Sequence, residues 1–259
     1  MTNISSHRIS LTTQVTGSGP AIVLAHGAGG TIEANFGGLI PLLARDHTVI
    51  GSDYPADDTP LDVDGLADAL VAEAVAAGAE TFTIIAFSLG TTAAIRAAVK
   101  YPERVRGLVL AGGFAKIDNR GRLNIEMWQR MLAAGDRESF ARVVLLGGFS
   151  ADFVNSIPEE QLPGLLAQTA TNIPGGTAAQ AALVATVDVR ADLALVAAPT
   201  LVVGMTGDLL IDPANAREQA AGIPGAEYVE LPGGHVVMVE QAQAWQATVS
   251  EFLERHPAA

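Results

Sequence analysis

The sequence predicts an α/β protein built on a doubly wound, mostly parallel sheet, and three observations carry that prediction. Short strand-like runs recur at 21–25, 48–52, 83–87, 105–111 and 200–204, and 21–25 is continuously apolar, as expected of a strand buried on both faces. Between them lie stretches whose apolar residues recur at helical spacing, which implies right-handed crossovers. The chain has 259 residues, 49% of them hydrophobic, enough for one large core.

Taken in order, residues 8–15 alternate weakly and read as an edge strand closed by the turn Gly17-Ser18-Gly19-Pro20. The buried strand 21–25 stops at His26-Gly27-Ala28-Gly29-Gly30, a helix is expected over 34–44, and a strand over 48–52. Residues 63–77 form a helix ended by Gly78. The strand before Ser88, its following helix to Lys100, and a strand over 105–111 come next. From 116 to 194 the strand rhythm vanishes and helical patterns are broken by Pro158, Pro163 and Pro174-Gly175-Gly176. That stretch reads as a helical cap inserted into a core made of 1–115 and 195–259. The rhythm then returns as strand 200–204, helix 213–221, strand 227–231 and a terminal helix 241–255.

Composition narrows the function classes. Fifteen Lys and Arg against 28 Asp and Glu give a net charge of −13, which argues against nucleic acid or an anionic membrane surface as partner. Cysteine is absent, so disulfides, thiolate metal sites and a cysteine nucleophile are excluded. The first ten residues lack a secretory pattern, and no apolar run reaches the roughly 18 residues of a membrane span, so a soluble cytoplasmic protein is expected. His, Asp and Glu show no metal-ligand spacing, and neither metal nor cofactor is expected.

The chemistry concentrates at predicted strand ends, where ligands of such sheets sit. Ala86-Phe87-Ser88-Leu89-Gly90 places a serine on a strand-to-helix turn, where small residues two before and two after relieve the crowding. No other serine has Gly or Ala two before and Gly two after. Asp208 lies just past strand 200–204 and His235 just past strand 227–231, in nucleophile, acid, base order. A serine hydroxyl needs a base, imidazole titrates in the right range, and the imidazole needs an acceptor on its other nitrogen. The amides of Leu89 and Ala28 are candidate donors to an oxyanion. Each motif alone has a plainer reading: a packing turn at Ser88, a helix-starting carboxylate at Asp208 (with Asp212 the better N-cap), a simple loop at Gly29-Gly30. Their joint order at separate strand ends favours the nucleophile set. His26 is expected to order the glycine-rich loop, His47 to be structural, and His7 and His256 to be exposed.

At this point the chain resembles the α/β-hydrolase superfamily. The matches are His26-Gly27-Ala28-Gly29-Gly30, Ala86-Phe87-Ser88-Leu89-Gly90, Pro199-Thr200-Leu201-Val202-Val203-Gly204 leading to Asp208, and Gly234-His235 leading to Glu240, with Tyr101-Pro102-Glu103-Arg104-Val105 as the link after the elbow helix. The resemblance implies an eight-stranded sheet and a cap over the site. Two departures stand out: Ala86 where Gly is commoner, and Asp53-Tyr54-Pro55-Ala56-Asp57-Asp58-Thr59-Pro60 where a glycine-bearing loop is usual. The C-terminal segment is most similar to enol-lactone hydrolases and cofactor-free haloperoxidase-like esterases.

The expected partner is a small-molecule acyl substrate in a mainly apolar pocket. Trp128, Met131, Leu132 and Phe149 from the cap, with His26, Gly27, Phe87, Val236 and Met238 near the reacting centre, are its candidate lining. Arg130 and Arg137 read as solvated. The expected activity is serine hydrolysis of an ester, lactone or thioester through an acyl-enzyme. The same parts suit carbon–carbon bond hydrolysis or a cyclisation, and a non-catalytic ligand-binding receptor is the rival from another class.

Overall fold

A computed structural model describes residues 9–257. Seven strands form one sheet: β1 (Thr12–Gly17), β2 (Ala21–Ala25), β3 (Thr48–Asp53), β4 (Phe82–Phe87), β5 (Val105–Ala111), β6 (Thr200–Met205) and β7 (Glu227–Leu231), in the order β1-β3-β2-β4-β5-β6-β7. All neighbours are parallel except β1, which runs antiparallel to β3.

The helices are α1 (Ile32–Phe36), α2 (Ile40–Leu43), α3 (Val63–Ala76), α4 (Leu89–Lys100), α5 (Asn119–Ala134), α6 (Arg137–Gly148), α7 (Ala151–Ser156), α8 (Leu162–Thr171), α9 (Thr177–Thr186), α10 (Pro213–Gly222), α11 (Val237–Glu240) and α12 (Ala242–Arg255). None is long and apolar enough to cross a membrane among the described residues.

Three expectations are corrected. The sheet has seven strands among the described residues, not eight, because residues 9–20 hold one strand before β2 and the turn at Gly17 and Gly19 takes the rest. That strand is Thr12–Gly17 rather than 8–15; Arg8 and His7 lie outside the described residues. The helix expected over 34–44 is two short helices. Its break falls at Gly37-Gly38, and Pro41, which lacks the amide a continuous helix would need, sits in the first turn of α2.

The apolar runs work as their pattern demands. Along each strand alternate side chains enter opposite cores. Val23, Ile84, Leu108 and Val202 meet α3 and α4 on one face. Ile22, Leu24, Ile85, Val109 and Leu201 meet Phe36, Trp245 and Phe252 on the other. The chain after β2 therefore turns to one face through α1, while the chain after β4 turns to the other through α4. Because β2 and β4 are adjacent and in register from Ala21↔Phe82 to Ala25↔Ala86, their ends are level. A crevice must open between such divergent connections, at the carboxyl end of the sheet.

The stretch between β5 and β6 begins and ends as a pair. Lys116 and Asp188 form an antiparallel bridge, and the Val189 amide donates to the Ala115 carbonyl at 2.9 Å. Helices α5–α9 lie between these points.

Candidate active site

Ser88 follows β4 directly, with φ 50° and ψ −119°, the one non-glycine residue at positive φ among the described residues. Holding a side chain there costs on the order of 1–3 kcal/mol, offset by the surrounding packing. The Ser88 amide donates to the Ala111 carbonyl at 2.9 Å, pinning the turn to β5. Gly90 is required by close approach: a Cβ there would lie 2.2 Å from the Ala25 carbonyl oxygen. Ala86 is fully buried in the α3/α4 core, so its methyl is accommodated.

The structure brings Ser88, His235 and Asp208 together. His235 Nε2 lies 3.0 Å from Ser88 Oγ, and His235 Nδ1 lies 2.7 Å from Asp208 Oδ2. Both Asp208 oxygens are engaged, since Oδ1 accepts from the amides of Leu210 (2.9 Å) and Ile211 (2.8 Å). An ionised carboxylate only accepts, so Nδ1 carries the proton and Nε2 is free to accept from the serine hydroxyl. Asp212, not Asp208, caps α10, its side chain accepting from Ala214 N.

The loop bearing His235 is held by residues that need space or an acceptor. Glu240 Oε1 accepts from the Gly234 amide at 3.0 Å and from the Ser150 amide at 2.8 Å, and Ser150 Oγ donates to Oε2 at 2.6 Å. Val236 N donates to the Gly148 carbonyl at 2.9 Å. The loop is thus tied to the junction of α6 and α7. Gly112 gives the imidazole its room, as a Cβ there would lie 3.2 Å from His235 Cε1.

In the loop after β2, three of four successive amides are used internally. Gly27 N donates to Asn35 Oδ1 (2.9 Å), Gly29 N to Gln180 Oε1 (2.8 Å), and Gly30 N to the Gly27 carbonyl (3.2 Å). Ala28 N is left without an intramolecular acceptor among the described residues. So is Leu89 N, which opens α4, where the first amides have no partner in the helix and the helix dipole favours negative charge.

His26 sits beneath this loop. Its Nδ1 donates to the Gly27 carbonyl at 2.8 Å and its Nε2 accepts from the Tyr54 amide at 3.1 Å; the Tyr54 hydroxyl donates to the His26 carbonyl at 3.0 Å. Burial pushes the His26 pKa down to about 4, against the opposing pull of the Gly27 carbonyl and Asp53. The neutral ring can therefore donate with one nitrogen and accept with the other. Burial likewise pushes the Tyr54 phenol up. His47 donates from Nδ1 to the Leu43 carbonyl at 3.3 Å, a local contact at the end of α2.

Ser88, His235 and Ala28 open on a cavity of about 550 Å³. Of the predicted lining residues, Phe87, Trp128, Phe149 and Val236 are there. Met131 and Leu132 are not: they lie a turn beyond Trp128 on α5 and pack in the surrounding apolar cluster without lining the cavity. Met238 sits on the opposite face beside Leu39 and Trp245. His26 and Gly27 lie behind the loop, since the His26 ring stacks on Tyr54 at 3.8 Å and a Cβ on Gly27 would meet Phe87 at 2.9 Å. Arg130 is exposed, and Arg137 donates to the carbonyls of Ala170 and Thr171 at the end of α8.

Gln180 and Asn35 escape a reading of strand ends alone; Gly112 directly follows β5 but has no side chain to mark it. Gln180 carried a signal nonetheless: a polar side chain inside the small-apolar run Thr177–Thr186, on the face it shares with Ala181 and Val184, and 1% exposed.

The fold is shared with known proteins. The chain matches the α/β hydrolase fold family over residues 20–242. It is 33% identical over 247 residues to a pyrrolizixenacetamide deacetylase of Xenorhabdus hominickii, covering 92% of each chain. Its fold superposes on an enol-lactonase from Burkholderia xenovorans with a TM-score of 0.82 at 22% identity, covering 95% of this chain and 97% of that one. A thermophilic esterase from Thermogutta terrifontis gives a TM-score of 0.81 at 22% identity, covering 96% and 94%. A family match over most of the length, on a chain whose serine elbow, histidine and aspartate meet at one crevice, places this protein in the α/β-hydrolase family, as an enzyme of that fold.

Proposed function

We propose that the protein is a serine hydrolase that cleaves a small-to-medium, mainly apolar ester, lactone, thioester or amide through an acyl-enzyme on Ser88. One observation carries this reading: the hydrogen-bonded chain Ser88–His235–Asp208 ends in the cavity beside two unpaired amides. The amide substrate joins the set because the deacetylase relative is named for removing an acetyl group from an acetamide.

In the first half-reaction Ser88 Oγ attacks the carbonyl carbon while His235 Nε2 takes its proton. Asp208 holds the ring and stabilises the imidazolium. The carbonyl oxygen becomes an oxyanion facing the amides of Ala28 and Leu89; each such donor contributes about 3–4 kcal/mol to the transition state. Collapse expels the alcohol, thiol or amine, which leaves with the proton from His235. Water then attacks the ester on Ser88, giving its proton to His235, and the second collapse returns that proton to Ser88 and releases the acid.

The test is fluorophosphonate labelling of wild type and Ser88→Ala, beside turnover of short- and medium-chain nitrophenyl esters and anilides. Labelling and turnover confined to the wild type support the proposal. An unlabelled wild type that still binds acyl compounds, with binding kept in Ser88→Ala, would instead make the protein a receptor.

A further inference from the structure

The cavity walls carry more information than their apolarity. Among the described residues lining the cavity there is no Asp, Glu, Lys or Arg; the titratable side chain is His235, already engaged with Ser88 and Asp208. Away from these and from Asn35, whose Oδ1 accepts from the Gly27 amide, polar side chains cluster at one place: Gln168, Thr169 and Asn172, at the carboxyl end of α8. Residues 168 and 172 are one helical turn apart and share a face. Thr169 Oγ donates to the Leu165 carbonyl at 3.0 Å, which leaves its lone pairs as acceptors. Both carboxamides are exposed at the cavity mouth and offer donors and acceptors without charge.

A carboxylate entering such a cavity would shed part of its hydration against apolar walls and meet no lining cation, and the protein's net charge of −13 adds to the repulsion. A neutral polar group at the same place meets two carboxamides instead. Accordingly, we infer that α8 forms a specificity subsite selecting electrically neutral acyl compounds, with an uncharged hydrogen-bonding group such as a carboxamide or hydroxyl remote from the scissile carbonyl, and rejecting their carboxylate counterparts. This rests on the hydrolase reading above for its catalytic step, and on the cavity alone for its selectivity.

A matched pair tests it: the 4-nitrophenyl ester of adipamic acid against 4-nitrophenyl hydrogen adipate, which differ by a carboxamide for a carboxylate. The expected kcat/KM ratio is at least about 100-fold in favour of the carboxamide. Gln168→Lys, an exposed change, is expected to lower that ratio about tenfold or more, with the loss screened by salt. To separate this from failure of the hydrolase reading, methyl adipamate and monomethyl adipate, which differ at one end only, are titrated into Ser88→Ala by calorimetry. Preferential binding of the neutral compound supports the subsite even in a protein that is not labelled by fluorophosphonate. Turnover, or binding where turnover is absent, within about tenfold for the two compounds overturns it, as does an unchanged ratio in Gln168→Lys.

Discussion

Replacing Gln180 by Met tests whether the helices between β5 and β6 take part in the chemistry or only cover it. Gln180 is on α9, 151 residues from the glycine whose amide it accepts at 2.8 Å, and is 1% exposed. Methionine keeps the length and bulk of the side chain and removes the strong acceptor. The Gly29 amide is then unsatisfied, which destabilises by about 1–3 kcal/mol. In a domain of this size each kcal/mol lowers Tm by about 2–4 °C. The second consequence is catalytic. Gly29 has φ 69° and would carry a Cβ 3.2 Å from the Trp128 ring, so its amide is held in a narrow slot directly after Ala28. Complete loss of an oxyanion donor costs roughly 100- to 1,000-fold in kcat. Here the Ala28 donor is displaced rather than deleted, so the expected loss is roughly 10- to 100-fold in kcat. KM should move little, because the ground-state carbonyl makes weaker use of the donor. Steady-state kinetics on a nitrophenyl ester, with Tm by calorimetry, gives both numbers. A lowered Tm with kcat unchanged within about twofold would make Gln180 a packing residue and refute the coupling.

Three further outcomes follow from the same geometry. Asp208→Asn should lower kcat by roughly ten-thousand-fold while leaving the fold intact. The Leu210 and Ile211 amides hold the oxygen end, which turns the new NH₂ toward His235 Nδ1 and leaves the proton on Nε2; a variant within tenfold of wild type would count against the tautomer argument. Gly234→Ala would place a Cβ 2.4 Å from the Ser150 amide nitrogen, so both kcat and Tm should fall, and retention of both would show that the α6–α7 junction yields freely. For His26, the unfolded ring takes up its proton near pH 6.5 and the folded ring near pH 4, so its neutral form favours the fold fully above pH 6.5. That contribution, about 3 kcal/mol, is lost as pH falls from 6.5 toward 4. NMR titration of the imidazole should find it neutral at pH 5; a midpoint near 6.5 would contradict its burial.

What could be read from the sequence follows from which constraints are local. Strands β2, β4 and β6 are buried along their whole length and β5 at all but Arg106; Ser88 follows β4 directly, and Asp208 and His235 lie three and four residues past β6 and β7. Chain order and strand ends sufficed to bring them together. The division of α1 from α2 falls at Gly37-Gly38 and Pro41, and among the described residues 9–20 hold the single strand β1. The cavity lining was less legible because it depends on helical phase. Trp128 and Met131 are both buried on α5 in one apolar cluster, yet Trp128 meets Phe140 edge-on at 5.0 Å and lines the cavity, while Met131, three residues on, does not. Gln180 acts on the loop after β2 from 151 residues away, which no local pattern encodes, whereas Asn35 reaches the Gly27 amide from α1, eight residues on. Tyr54, in the segment that departs from the usual glycine-bearing loop, braces His26 from below; the turn at Gly175 and Gly176 packs against the Pro55 and Ala56 carbonyls, where any Cβ would clash.

The central claim is a covalent acyl intermediate on Ser88. It is tested most directly by mixing enzyme with a slowly deacylating ester, quenching in acid within milliseconds to seconds, and mapping the adduct by mass spectrometry. The expected result is the mass of the acyl group on the peptide containing Ser88, formed faster than the acid product and absent from Ser88→Ala. Turnover by Ser88→Ala at the wild-type rate, or an acyl group mapped to a different residue in the wild type, would contradict it.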